Sequence, residues 1–203
     1  MKRAPALAVI EFGDIAAGVY ATDAMLKKSP IAFVKSGTIT RGRYLTLIGG
    51  TTGSVAEALE EGLAQGGESV LDHLLLADVH PAVFQAMLGE RRPSGRGALA
   101  VIETDTVASN VRAAELALKG TPVELVELRL ADAGLSGKGV SIYRGELRDI
   151  EAAVDIVRGL LEPGGGVVRY TIIPAPHEML LRQIGSSSEF GSSDLMELDG
   201  EAG

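Results

Sequence analysis

The sequence predicts an α+β fold, an α/β sandwich of two tandem ferredoxin-like β-α-β-β-α-β domains, each a four-stranded sheet with two helices on one face. Three observations predict it. A segment near the N-terminus recurs in the middle of the chain. Each copy alternates short β-branched apolar runs with longer runs of helical period. Gly-rich breaks fall at matching places in both copies.

The repeat sets the domain count. Ala6-Leu7-Ala8-Val9-Ile10-Glu11 returns as Ala98-Leu99-Ala100-Val101-Ile102-Glu103, an offset of 92. Over Ala6–Val34 the two copies agree at 13 of 29 positions, where unrelated segments would agree at about two. The offset then grows to 95 (Gly50 meets Gly145) and to 97 (His80 meets His177), with the insertions in Gly-rich loops. The expected organisation is a first domain over 1–90, a linker over 91–97 with Arg91, Arg92, Pro93 and Gly95, and a second domain over 98–184. Residues 185–203 hold five acids and no base, so a disordered acidic tail is expected there.

In the first copy Leu7–Phe12 is a short β-branched apolar run, hence a strand. Asp14–Lys28 spaces Ile15, Val19, Met25 and Leu26 as a helix, with Asp14 as its cap and Pro30 beyond its end. Ile31–Ile39 and Arg43–Ile48 read as a hairpin closed by Thr40-Arg41-Gly42. Ser54 is the expected cap of a second helix over Val55–Ala64, which Gln65-Gly66-Gly67 ends. Val70–Leu76 is a fourth strand and Pro81–Leu88 a closing helix. The second copy gives strands Leu99–Glu103, Val123–Leu130, Gly139–Tyr143 and Val167–Ile173, with helices Val107–Lys119 and Leu147–Leu161.

Composition excludes several classes of function. The chain has no cysteine, which removes disulfides, thiolate catalysis and Cys-ligated metals. A net charge of −8 and 4% aromatics argue against nucleic acid as a partner. No apolar run approaches the length of a membrane span. Ala4–Ile10, cut by Pro5 and closed by Glu11, makes no signal-peptide pattern, so a soluble cytoplasmic protein is expected.

Each half resembles a bacterial microcompartment shell domain. The residues that carry the resemblance in the first half are Ala6–Glu11, Asp23-Ala24-Met25-Leu26-Lys27 and Gly50-Thr51-Thr52-Gly53-Ser54-Val55. In the second half they are Ala98–Glu103, Ala117-Leu118-Lys119, Gly145-Glu146-Leu147 and Pro174-Ala175-Pro176-His177-Glu178. Two copies in one chain resemble the tandem-domain class, in the unpermuted arrangement. The resemblance implies a structural protein and not an enzyme. It implies a homotrimer that imitates a hexamer, tiles a shell with other shell proteins (hexamers and pentamers), and passes small metabolites through a central pore. It also implies a location in the microcompartment shell within the cytoplasm.

The resemblance places the hairpin turns at that pore: Thr40, Arg41 and Gly42 from the first copy, Gly134, Leu135, Ser136 and Gly137 from the second. Three copies of Arg41 around an axis would favour small anions; the alternative is that Arg41 lies along the face and pairs with a neighbour. In the propanediol-utilisation branch of the class a cysteine in the first turn holds an iron–sulfur cluster. Thr40 stands in its place, and a hydroxyl is a poor ligand for such a cluster, so no cofactor is expected. Lys27 and Lys119 end equivalent helices. The resemblance puts this lysine on the tile edge, although helix-dipole stabilisation also accounts for it. His80 and His177 belong to the same edge segment, where Ala175 departs from the usual arginine.

Other patterns carry less. Ser136-Gly137-Lys138 echoes the end of a phosphate loop, but Asp132 and Gly139 stand where glycine and Ser/Thr are required. The three histidines, His73 included, show no ligand spacing, so no metal is expected. Glu11 and Glu103 are read as strand-end hydrogen-bonding groups rather than an acid–base pair. The alternative function on the same fold is a small-molecule-binding regulatory protein.

Overall fold

The computed structural model describes residues 6–92, 95–161, 168–193, 195, 196 and 198. Pro93, the first residue of the expected last strand (Val167), the basic N-terminus and part of the acidic tail lie outside the described residues. The first domain runs β1 (Ala6–Phe12), α1 (Ile15–Lys28), β2 (Phe33–Ile39), β3 (Arg43–Gly50), α2 (Thr52–Gly66), β4 (Val70–Leu76) and α3 (Pro81–Met87). The second runs β5 (Ala98–Thr104), α4 (Val107–Gly120), β6 (Glu124–Leu130), β7 (Gly139–Gly145), α5 (Leu147–Leu161), β8 (Val168–Ile173) and α6 (Glu178–Ser186). The sheets are antiparallel in the orders β2-β3-β1-β4 and β6-β7-β5-β8, so the expected β-α-β-β-α-β order holds twice.

Register fixes which residues are equivalent. Phe12 pairs with Tyr44 and Thr104 with Gly139, so Tyr44 and Gly139 correspond. Glu11 pairs with Asp72 and Glu103 with Arg169, so Asp72 and Arg169 correspond.

Alternation along β1 explains how the halves join. Ala6, Ala8, Ile10 and Phe12 pack under α1 and α2 with Met25, Ile48 and Val55. Leu7 and Val9 point the other way, into one cluster with Leu74, Val83 and Met87 and with α4 and α5 of the second domain. Both faces of β1 are therefore dry, and the two domains share a core. The linker is ordered where described: Arg92 donates its N–H to the Val126 carbonyl (3.0 Å), and the Arg91 guanidinium pairs with buried Glu127 and reaches the Ile184 carbonyl (2.6 Å).

Two local expectations are corrected. α2 begins at Thr52 because Thr51, not Ser54, is the cap; its Oγ1 accepts the Ser54 N–H (3.3 Å), three residues on, where a capping oxygen reaches. A helix absent from the sequence reading, α6, follows β8, started by His177. It carries the chain past residue 184, and a turn of 3₁₀ helix follows at Phe190–Ser192. Arg129 holds this stretch through Ser188, at 3.4 Å from both its carbonyl and its hydroxyl oxygen.

Candidate functional site

The two hairpin turns meet. Thr40 donates its hydroxyl to the Ala131 carbonyl (2.6 Å) and accepts the Gly137 N–H (2.9 Å), while its own N–H also reaches Ala131 (3.0 Å). One side chain thus spans the first turn and both ends of the second. The turns are tight because the backbone enters the left-handed region at Arg41 (φ 67°), Gly42 (φ 68°), Gly134 (φ 87°), Ser136 (φ 50°) and Gly137 (φ 84°). Arg41 and Gly42 are exposed at the tip, and Arg41 has no hydrogen bond or ion pair with any described residue. Leu135 is half-buried, and Gly134 and Ser136 are exposed.

Beneath the turns lies a buried charge cluster. Glu11 is fully buried at the end of β1. Its Oε1 accepts Arg43 Nη1 (2.6 Å) and its Oε2 accepts the N–H of Val107 (2.7 Å), the first residue of α4. A carboxylate of one domain so caps a helix of the other, where the helix N-terminus favours negative charge. Burial pushes the Glu11 pKa up, against the opposing Val107 amide and Arg43 guanidinium. Arg43 also donates to the Asp105 and Gly137 carbonyls (3.1 and 3.0 Å). The repeat-equivalent pair, Glu103 and Lys138 (2.8 Å), lies on the outer side of the second domain and is more than a third exposed.

A seam of polar contacts continues from this cluster along α4. Asp72 Oδ2 accepts the hydroxyls of Thr106 (2.5 Å) and Ser109 (2.7 Å). Arg112 donates to the His73 carbonyl (3.2 Å), Lys119 Nζ to the Asp78 carbonyl (2.5 Å), and the His80 N–H to the Glu115 carboxylate (3.0 Å). Lys119 and His80 therefore sit on the seam between the domains. Lys27 and His177 occupy the same places on the outward faces, where Lys27 pairs with Asp23. Both histidines cap helices: Nδ1 of His80 accepts the Ala82 N–H and Nδ1 of His177 the Met179 N–H, each at 3.2 Å. His73 is exposed on β4.

The seam shows what is missing outside. Val107 and Val111 of α4 are fully buried, in one apolar cluster with Leu74 and Val83 of the first domain. Their equivalents on α1, Ile15 and Val19, are 42% and 50% exposed, beside Tyr20 at 63%. The sequence reading did not single out Arg43, Asp72, Thr106 or Arg112. For Asp72, Thr106 and Arg112 the available signal was a difference in charge between the copies, whose equivalents are Arg169, Asp14 and Tyr20; Arg43 matches Lys138 in charge and gave no such signal.

The BMC domain family matches the chain twice, over residues 6–79 and 98–176. The chain belongs to this family. It is 34% identical over 179 residues, 88% of its length and 97% of the relative's, to the bacterial microcompartment shell protein PduT of Citrobacter freundii. A microcompartment protein from Desulfitobacterium hafniense superposes with a TM-score of 0.75 at 33% identity, covering 87% of this chain and 98% of that one. A double-ringed trimeric shell protein of the RMM microcompartment shares the fold alone, with a TM-score of 0.57 at 21% identity over 77% of this chain and 82% of that one. This BMC protein is thus a structural component of the bacterial microcompartment shell. No helix among its described residues is long and apolar enough to cross a membrane.

Proposed function

We propose that three copies of this shell protein close into a ring of six domains that tiles the microcompartment shell beside hexameric and pentameric shell proteins, acts without catalysis, and passes small metabolites through a central pore. The observation that carries the reading is the exposed apolar pair Ile15 and Val19, whose equivalents on α4, Val107 and Val111, are buried where α4 meets the first domain. One joint is made within the chain, and the matching half-joints at its two ends face outward. Heterologous faces of this kind generate a closed ring when the rotation between units closes.

Six hairpin turns would then surround the axis, with Thr40, Arg41, Gly42, Gly134, Leu135, Ser136 and Gly137 lining it. Arg41, exposed and without a described partner, supplies three positive groups for anionic solutes. Lys27 and Lys119, with His80 and His177, would lie where the joints reach the rim of the ring, Lys119 and His80 on the seam within the chain and Lys27 and His177 on the joint between copies. Native mass spectrometry tests the reading: a species of three 21.1 kDa chains is expected, and a monomer at all concentrations overturns it. Electron microscopy of overexpressed protein is expected to show sheets or tubes.

A further inference from the structure

We propose that Arg169 of one copy forms an ion pair with Asp14 of the next, and that this pair directs the copy-to-copy joint. The inference rests on the ring reading and names the contact that holds it.

The joint inside the chain is a template for the joint between copies. Within the chain, β4 of the first domain meets α4 of the second, and Asp72 accepts hydroxyls from Thr106 and Ser109. Sheet register makes Arg169 the equivalent of Asp72. The offset of 92 makes Asp14 the equivalent of Thr106 and Ala17 that of Ser109. The caps agree: Thr106 caps α4 through the Ser109 N–H (3.2 Å), and Asp14 caps α1 through the Ala17 N–H (2.8 Å). Where the inner joint has a carboxylate facing two hydroxyls, the outer one has a guanidinium facing a carboxylate.

Both groups are available. Asp14 is exposed, and the Ser69 hydroxyl (2.5 Å) and the Ala17 N–H hold its carboxylate in the ionised form, below the usual carboxylate range. The Arg169 side chain is 57% exposed and reaches Asp105 of its own chain at 3.2 Å. In the joint it would lie between Asp105 and the neighbour's Asp14, the planar guanidinium offering donors to both. The rest of the seam carries over in the same register. The Ala175 carbonyl would meet Lys27, the His177 N–H would meet Asp23, and Glu103 would meet the N-terminus of α1, as Asp78, His80 and Glu11 meet Lys119, Glu115 and α4 within the chain.

The charge exchange also rejects wrong neighbours. A β4-type edge presented to α1 would set Asp72 against Asp14, two like charges. A β8-type edge presented to α4 would leave Arg169 facing Thr106 and Ser109 with no carboxylate between them.

Charge reversal in the full-length chain tests this, with association read by analytical ultracentrifugation and native mass. Arg169→Asp is expected to weaken association about tenfold or more, by opposing Asp14. Asp14→Thr, which keeps a capping oxygen as Thr106 does, is expected to weaken it less. The double variant Asp14→Thr/Arg169→Asp recreates the Asp72–Thr106 contact of the inner joint and is expected to return to within about threefold of the wild type. Far-UV circular dichroism and unfolding midpoints serve as controls for folding. Single variants that associate like the wild type overturn the ion pair while leaving the ring standing. A well-folded double variant that stays as weak as Arg169→Asp overturns the pairing as well. A wild-type chain that never associates overturns both readings.

Discussion

Gly18 of α1 rests against Tyr44 of β3 so closely that a Cβ on the glycine would lie 2.6 Å from that of the tyrosine. The second domain makes the same contact in reverse: Asn110 replaces the helix glycine, Gly139 replaces the strand tyrosine, and a Cβ on Gly139 would lie 2.3 Å from that of Asn110. The copies have exchanged volume between helix and strand.

Gly18→Asn is therefore expected to destabilise the chain by about 1–3 kcal/mol through overpacking. Adding Tyr44→Gly should recover part of that loss. Urea unfolding of the wild type and of both variants measures it, and no recovery in the double variant would mean that the two sites are not coupled.

Glu11 is the buried joint between domains. Glu11→Ala leaves the Arg43 guanidinium and the Val107 N–H uncompensated, and a loss of about 3–5 kcal/mol is expected from unfolding curves.

The same residue carries a pH signature. Burial raises its folded pKa above the ordinary value of 4.5, so the folded state holds the proton more tightly than the unfolded chain. Its contribution to stability is fully present below 4.5 and is lost as pH rises through the folded value. Relative to Glu11→Gln, the wild type should gain stability as pH falls from neutral toward that range. Paired melts at several pH values read the difference, and parallel curves for the two proteins would contradict it.

Thr40→Val removes the hydroxyl that joins the turns and leaves the buried Gly137 N–H without its acceptor. A cost of about 1–3 kcal/mol and faster amide exchange at Gly137 are expected, with Thr40→Ser close to the wild type.

Arg41→Ala is expected to leave folding and assembly intact, because Arg41 makes no hydrogen bond or ion pair with a described residue. Passage of a small carboxylate through assembled shells should fall about tenfold or more, with a neutral solute of similar size as the control.

Much of this was written in the repeat. The β-branched apolar run of β1, the cap at Asp14, the hairpin break at Thr40-Arg41-Gly42 and the doubling of His80 as His177 each have a local cause: one residue's chemistry or a short run of residues. The start of α2 was misplaced because Thr51 and Ser54 are both good caps, and the choice between them depends on where β3 ends. Helix α6 was missed because its flanking prolines and polar tail mask a helical period, and its start depends on an imidazole cap.

The sequence by itself determined the duplicated fold, the order of its elements and the turns that carry its candidate pore residues. Those follow from periodicity and local backbone preference, which act over a few residues. Only the tertiary structure decided that Glu11 caps a helix 96 residues away, that Thr40 ties the first turn to the second, and that α4 is covered while α1 is bare. Such contacts depend on how the two sheets are set against each other. That arrangement is fixed by the shared apolar core as a whole, and no short stretch of residues encodes it.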